Sequence, residues 1–180
     1  METDSDLLKE NKLSMRFHLV KTKSNDFEIA LELLKSAAEY LAKKNINQWS
    51  YWLNPPQEKI IWLKEGFKRN EFYLIKTPKD KLIGMVRIMY KDLIYWGEMN
   101  DKAIYVHSLV IKQEFKGHKI GQRVIDIIKE KAVKKNIELM RLDCDNSNKK
   151  LCNYYENIGF QKVGEKQLKL GQYNLYQKYL

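Results

Sequence analysis

The segment 103–144 constrains the fold more than any other part of the sequence. It begins with a run rich in Val, Ile and Tyr at 103–111, which is typical of a buried strand. A basic, glycine-containing turn then leads into a helix with apolar residues at helical spacing, and the segment ends in a second apolar strand at 138–144. Because a strand–helix–strand crossover runs its two strands in the same direction, the sequence predicts a sheet that contains a parallel pair.

The rest of the chain predicts a mixed α/β (α+β) fold. Asn25 and Glu28 have the spacing of a capping box at the start of one helix, Pro56 can open a second, and Gly159 ends the last. In chain order, the predicted elements are a strand at 15–20, helices at 25–45 and 56–69, strands at 71–76, 82–90 and 103–111, a helix from 120 to 136, a strand at 138–144, a helix at 148–157, and strands at 160–164 and 173–179. We expect helices on both faces of one mixed sheet.

The composition is that of a soluble globular chain. Of its 180 residues, 44% are hydrophobic and 12% are aromatic, which is enough to fill one core. We expect residues 1–14 to be a polar N-terminal tail and residues 15–180 to form a single domain. No apolar run approaches the ~20 residues of a membrane-spanning helix, and the start of the chain lacks the features of a signal peptide. The sequence therefore predicts a cytoplasmic protein with no membrane partner.

The net charge of +10 is compatible with nucleic acid, an anionic membrane surface or an anionic small ligand as a partner. A lysine-rich solvated surface is the preferred interpretation, because the positive residues are spread along the whole chain. No stretch interleaves arginine with aromatic residues, as single-stranded nucleic-acid binders do, so a nucleic-acid role has the least support. The sequence leaves the oligomeric state open, including a homodimer.

The cysteines and histidines do not indicate a metal site. Cys144 and Cys152 match no zinc-binding spacing, and we interpret them as free thiols in or near the core. The three histidines, His18, His107 and His118, are too scattered in the sequence to suggest a metal cluster. We therefore expect no metal cofactor.

The turn between strand and helix, residues 116–121, has the properties of an anion site. The first turn of a helix leaves backbone N–H groups unpaired, and the helix dipole adds positive charge there, which favours phosphate or pyrophosphate. Gly117 permits a tight turn, Gly121 permits close approach of a ligand, and Lys116 and Lys119 add charge. An ordinary strand–helix turn is an equal alternative from the spacing alone, because the glycines of the common nucleotide-binding motifs are absent.

This turn, Lys116-Gly-His-Lys-Ile-Gly121, resembles motif A of the GNAT superfamily of N-acetyltransferases, written Q/R-x-x-G-x-G/A. The preceding strand, from Leu109 to Gly117, is similar to the family's L-x-V-x-x-x-[FY]-[RK]-G stretch, and residues 148–160 are similar to its N-x(6)-Y-E-x-x-G-F motif. The resemblance covers nearly all of 15–180. Lys116 and Lys119 depart from the pattern, Lys119 by replacing the motif's first glycine.

The resemblance implies a GNAT-like fold and acetyl-CoA as the co-substrate. The sheet would be mostly antiparallel, with the parallel crossover at its centre. Backbone N–H groups of the turn would hold the pyrophosphate, which assigns this role to Lys116, Gly117, His118, Lys119, Ile120, Gly121 and Gln122. The central strand would splay from its neighbour, so that Leu109 and Ile111 pair with pantetheine amides and the Leu109 N–H polarises the thioester. Asn148 matches the asparagine that contacts the cofactor, and helix capping is its alternative role.

Three residues are candidates for proton transfer. Tyr155 matches the tyrosine with which family members protonate the leaving CoA thiolate, although its place on an apolar helix face also suits a core residue. A base is needed because an alkyl amine with a pKa near ~10.4 is almost fully protonated at neutral pH. His107, on the central strand, is the leading candidate, since imidazole titrates near ~6.5. The arylalkylamine branch of the superfamily is similar, with a histidine at the matching position. Glu98, on the preceding loop, is the rival base.

The acceptor site is predicted between the first two helices, where family members build their acceptor pocket. Trp49, Tyr51 and Trp52 lie there and can attract an ammonium group or stack on a ring, and Trp96 on the loop beside Glu98 is a further candidate. Core packing is the alternative for these aromatic residues. The leading interpretation is an acyltransferase that acetylates a primary amine of a small molecule. The alternatives are a protein or peptide N-acetyltransferase, with an open shallow groove, and a catalytically weak CoA-binding regulatory module.

Overall fold

A computed structural model describes residues 15–180 and contains seven strands and four α-helices within that range. The strands are β1 His18–Lys21, β2 Phe72–Lys76, β3 Leu82–Met89, β4 Ala103–Ile111, β5 Leu139–Asp145, β6 Gln161–Leu168 and β7 Gly171–Tyr179. The helices are α1 Phe27–Ala42, α2 Gln57–Lys68, α3 Ile120–Val133 and α4 Lys149–Asn157. The predicted order of strands and helices is confirmed. The predicted N-terminal tail lies outside the described residues.

The strands form one sheet in the order β1-β2-β3-β4-β5-β7-β6. Only the central β4–β5 pair is parallel, and the other neighbours are antiparallel. α3 and α4 bury their apolar residues in one core cluster, whereas α1 and α2 pack in a second cluster with Trp52. The expectation of a mostly antiparallel sheet with a parallel crossover and helices on both faces is confirmed.

The two central strands separate halfway along their length. β4 pairs with β5 from Ala103↔Leu139 to Val106↔Leu142, and the pairing ends there although β4 continues to Ile111. On its other side, β4 carries a bulge against β3, where Ser108 adopts a left-handed φ of 48°. Bulges bend a strand and increase its twist. The bulge therefore accompanies the opening of a cleft between β4 and β5.

Local boundaries differ from the prediction in two places. Asn25 and Glu28 do not form the predicted capping box. A short 3₁₀ turn precedes α1 instead, and the backbone N–H of Lys23 donates to the carboxylate of Asp26 at 2.7 Å. The last two strands are also longer than predicted, because Gly171, with a φ of 156°, lets the chain turn back sharply after β6.

Candidate active site

The separation of β4 and β5 opens a cavity of about 80 Å³. Its walls come from β4, β5, β7, α2, α4, the segment between α1 and α2, and the loop before β4. The predicted residues that line it are His107, Leu109, Tyr155, Trp49, Tyr51 and Trp52. The structure thus brings the candidate base, the candidate acid and three of the four candidate acceptor aromatics to one place.

A groove of about 270 Å³ adjoins this cavity. β4 forms its floor with Leu109 and Ile111, while α1 and α4 form its sides. Lys116, Gly121 and Asn148 also line the groove, so most of the residues predicted to bind the cofactor face one surface. Leu109 and Tyr155 belong to the walls of both spaces, and the groove therefore opens next to His107.

The turn at the end of the groove has an unusual backbone. Gly117 has a φ of 84°, and Lys119, the N-cap residue of α3, has a left-handed φ of 51°. A residue with a side chain is strained in this region, which explains why a glycine is expected at position 119. The Lys119 side chain is exposed, whereas Ile120 is buried in the core and can offer a ligand only its backbone.

Two more contacts shape the groove. A Cβ at position 121 would lie 3.6 Å from Tyr154 Oη and 4.0 Å from Leu109 Cδ2, so any larger side chain would enter the groove. The ammonium group of Lys116 lies 3.3 Å from the centre of the Tyr40 ring on α1, across the mouth of the groove. His118, in the turn, and Gln122, in the first turn of α3, are both half-buried.

Asn148 caps α4, as its alternative role predicted. Its side-chain oxygen accepts the backbone N–H of Leu151 at 3.1 Å, and its amide donates to Gln48 Oε1 at 2.7 Å. Asn148 and Gln48 both line the groove. Asn148 can therefore cap α4 and still face a ligand in the groove.

His107 lies between two buried carboxylates. Its Nε2 is 2.9 Å from Asp92 Oδ2, and its Nδ1 is 3.2 Å from Asp143 Oδ1. The first contact is a hydrogen bond, and Asp92 also accepts the backbone N–H of Tyr95 at 3.2 Å. The second contact has an ion-pair distance but lacks hydrogen-bond alignment, so Asp143 Oδ1 has no hydrogen-bond donor among residues 15–180. Asp143 is therefore a buried acceptor in the wall of the cavity.

The surroundings shift the proton affinities of all three groups. Burial raises the pKa of Asp143 to about 7, although the charge of His107 opposes this. Burial lowers the pKa of His107, but the charges of Asp143 and Asp92 outweigh it and the net direction is upward. For Asp92, burial is outweighed by the charge and hydrogen bond of His107, so its pKa is lowered. The pKa values of His107 and Asp143 are therefore both raised, that of Asp92 is lowered, and His107 and Asp143 titrate as a coupled pair.

Asp92, His107 and Asp143 also satisfy the proximity expected of metal ligands, because their ligand atoms lie within 4.8 Å of one another. The two ring nitrogens of a histidine direct their lone pairs to opposite sides of the ring, and here each faces a different carboxylate. A single ion could therefore bind only one nitrogen and one carboxylate. The arrangement suits proton transfer better than metal binding, and the expected absence of a metal stays a prediction.

Tyr155 is buried against two aromatic neighbours, one just after α4 and one on β7. Its ring centre lies 5.8 Å from that of Phe160 and 6.2 Å from that of Tyr176. Burial raises the pKa of its phenol above the ordinary value, so the hydroxyl stays protonated at neutral pH. A protonated hydroxyl at the junction of groove and cavity can act as an acid toward a group bound there.

Two predicted residues are not brought to this cavity. Glu98 is exposed in a surface depression beside Lys135. Trp96 packs instead on Tyr105, with ring centres 5.9 Å apart, and on the guanidinium of Arg141. The loop that carries them turns Asp92 inward and leaves Glu98 in solvent.

Several wall residues of the cavity were not predicted from the sequence. They include Asp143, Lys59, Trp62, Tyr95 and Tyr173, and Asp92, which contacts His107, was also missed. Asp143 had a visible signal, since it is an acidic residue inside an otherwise apolar strand. Its neighbour Leu142 pairs with Val106, which places Asp143 beside His107, but that register is evident only from the folded sheet.

Comparisons with known proteins identify the family. A model described as "Acetyltransferase (GNAT) family" matches residues 39–160. A Bacillus subtilis (strain 168) protein, described as the uncharacterized N-acetyltransferase YesJ, is 25% identical over 144 residues, which cover 77% of this chain and 78% of that protein. The chain belongs to the GNAT acetyltransferase family and is an acyltransferase.

Solved structures agree with this assignment. A GNAT-family acetyltransferase from Listeria monocytogenes 4b F2365 has 26% identity and a TM-score of 0.74, with 91% of this chain and 95% of that one covered. The spermidine N-acetyltransferase of Vibrio cholerae, solved with CoA and spermine, has 16% identity and a TM-score of 0.61, with coverages of 91% and 95%, and shows the shared fold. Within residues 15–180, no helix has both the length and the apolar character needed to cross a membrane.

Proposed function

We propose that the chain transfers the acetyl group of acetyl-CoA to a primary amine of a small molecule. The observation that carries the proposal is the junction of two spaces. The groove ends at the glycine-containing turn that suits a pyrophosphate, and its other end meets the cavity that holds His107. Leu109 and Tyr155 stand at this junction, where a thioester and an amine would meet.

The described residues fit acetyl-CoA. The backbone of β4 beyond Val106 has no β5 partner, so its free groups can pair with the amides of a pantetheine chain. The N-terminus of α3 and Lys116 supply positive charge for the pyrophosphate, and Gly121 leaves room beside Leu109. Acetyl-CoA supplies an acetyl thioester, which a neutral amine attacks with release of the CoA thiol.

The side chains at the junction have complementary roles in this reaction. The His107–Asp143 pair accepts the proton that an incoming ammonium must lose, and Asp92 holds the imidazole in position. The backbone N–H of Leu109 donates toward the carbonyl oxygen as it gains negative charge. The Tyr155 hydroxyl donates a proton to the leaving sulfur.

A small acceptor fits better than a protein. The aromatic residues Trp49, Tyr51 and Trp52 narrow the cavity, whereas a protein or peptide acceptor needs an open groove. Aromatic faces and the unsatisfied Asp143 oxygen favour an ammonium group. The Vibrio relative was solved with spermine, a small-molecule amine, and this supports a small-molecule amine as the acceptor.

We also propose a cytoplasmic location. Cys144 and Cys152 are free thiols although their sulfur atoms lie 3.4 Å apart. Two thiols this close would be at risk of oxidation to a disulfide in a secreted protein, whereas a reducing compartment keeps them as thiols.

Thiol release from acetyl-CoA in the presence of an amine panel tests the proposal. The panel contains polyamines, aminoglycosides, arylalkylamines, amino acids and peptides. We expect release that depends on at least one small amine and a rise in melting temperature with acetyl-CoA alone, because a ligand that binds only the folded state stabilises it. Stabilisation without release by any amine would favour the regulatory module, and faster reaction with peptides would favour a protein acceptor.

A further inference from the structure

Lys59, in the first turn of α2, is a cation in the wall of the cavity with no acidic partner. Its ammonium group lies 4.8 Å from the centre of the Tyr51 ring and 5.8 Å from that of Trp62, and the side chain is half-buried. Among residues 15–180, no carboxylate lies within 4.0 Å of it. Its neighbour Glu58 pairs with Lys169 instead, at 3.8 Å.

Burial makes the charge of Lys59 costly. Burial is the largest influence on the pKa of Lys59 and lowers it, and Arg87 lowers it further. The charges of Asp143, Glu58 and Asp92 raise it, but they act from beyond contact distance and do not restore the ordinary value. A half-buried cation without a counter-ion is stabilised when a ligand brings an anion to it.

A second chamber, of about 210 Å³, adjoins the cavity and shares Lys59, Trp62 and Tyr173 with its wall. Ile94, Leu168 and Leu170 contribute apolar side chains to this chamber, and Glu58 and Lys169, which pair with each other, also line it. An acceptor that reaches from the cavity into this chamber therefore passes Lys59 and can contact these apolar side chains.

We propose that the acceptor is an amino acid with an apolar side chain. Its amine lies against His107 and Asp143, its carboxylate pairs with Lys59, and its side chain enters the outer chamber. Lys59 would repel the second ammonium group of a polyamine. The carboxylate of an amino acid is attracted to Lys59 instead. The inference rests on the proposed function and specifies its acceptor.

Matched acceptors test the proposal. Phenylalanine, phenylalaninamide and phenethylamine share one ring, and only the first carries a carboxylate beside its amine. With the wild type, we expect kcat/KM for phenylalanine to exceed that for the other two by about tenfold or more, as one charge-assisted contact provides. Spermidine should be poorer than phenylalanine.

Variants at Lys59 separate its charge from its packing. Lys59→Met keeps the apolar stem against Tyr51 and Trp62, and we expect it to bring the preference for phenylalanine to near unity, mainly through a higher KM. Lys59→Arg should retain most of the preference. Lys68→Met, an exposed position in the last turn of the same helix, is the matched control and should leave the preference unchanged. Each variant and the wild type are tested with the same three amines. Differences between the pKa values of these amines therefore cancel when the preference of a variant is compared with that of the wild type.

Two results would overturn the proposal. One is a wild type that acetylates phenethylamine, phenylalaninamide or spermidine at least as well as phenylalanine. The other is an equal loss for all three matched acceptors in Lys59→Met. In either case acetylation of amines would still support the proposed function, whereas failure of every amine in both panels would remove the proposed function together with this inference.

Discussion

Replacing Asp143 by asparagine tests the electrostatics of the site through stability as well as through activity. The carboxylate's pKa moves from an ordinary 3.8 to about 7 on folding, with burial as the main cause. A raised folded-state pKa means that the folded protein keeps a proton that the unfolded chain releases. Stability from this group is therefore complete below pH 3.8 and is lost as the pH rises to about 7.

The magnitude follows from the size of that shift. At about 1.4 kcal/mol for each pKa unit, the wild type should lose roughly 4 kcal/mol from this group between pH 4 and pH 7. The pKa of about 7 already includes the charges of His107 and Lys59, which lower it, and that of Asp92, which raises it. Asp143→Asn has no such titration, so its stability relative to the wild type should increase by a few kcal/mol over this range.

Urea unfolding at pH 4, 5, 6, 7 and 8, followed by circular dichroism, measures this difference. Asp126→Asn, on an exposed position of α3, is the control and should follow the wild type at each pH. A difference in unfolding free energy between Asp143→Asn and the wild type that stays constant with pH, or that changes to the variant's disadvantage as the pH rises, would show that burial does not raise the pKa of Asp143. In the same variant we expect kcat/KM to fall about a hundredfold, the usual loss when a general base is impaired.

Three further substitutions test separate parts of the site. Lys119→Gly removes a side chain from a left-handed residue and should raise the free energy of unfolding by about 1 kcal/mol, measured in urea; a lower value would contradict the strain. Asn148→Ala loses the cap of α4 and should cost about 1 kcal/mol while raising the KM for acetyl-CoA, and an unchanged melting temperature would exclude the capping role. Tyr155→Phe keeps the ring packing and should lower kcat at least tenfold with little change in either KM, so wild-type turnover would exclude the proposed acid.

Local sequence patterns were sufficient to predict the order of elements. The β-rich run at 103–111 and the helical spacing after Gly121 both correspond to observed elements, β4 and α3. Strand direction followed from the length of the crossover between β4 and β5. The predicted boundaries of elements were less accurate where a side chain forms an unexpected hydrogen bond with the backbone. Asp26 does so before α1, where its carboxylate accepts the backbone N–H of Lys23.

The site could be predicted only where its residues follow one another along the chain. His107 and Leu109 share a strand with Ile111, so their common location was visible in the sequence. Asp92 and Asp143 reach His107 from a loop and a neighbouring strand, and their contacts depend on register and loop path. The same loop path explains why Glu98 and Trp96, close to His107 in sequence, lie elsewhere.

The bulge at Ser108 also lay beyond prediction, because serine has no strong preference for a left-handed φ. The cleft depends on the end of β4–β5 pairing at Val106, and no residue type marks that point in the sequence. Family resemblance supplied the expectation that the strands separate, and the structure shows the residues at which they do so.

A crystal structure with bound CoA and an amine acceptor would show whether the groove and the cavity hold the two substrates. We predict the pyrophosphate on the turn at 116–122, the pantetheine chain along Leu109 and Ile111, and the sulfur within about 4 Å of the Tyr155 hydroxyl. The acceptor nitrogen should lie in the cavity beside His107 and Asp143. CoA bound outside the groove, or a sulfur atom that does not reach the junction with the cavity, would contradict the assignment of these two spaces to acetyl-CoA and the amine.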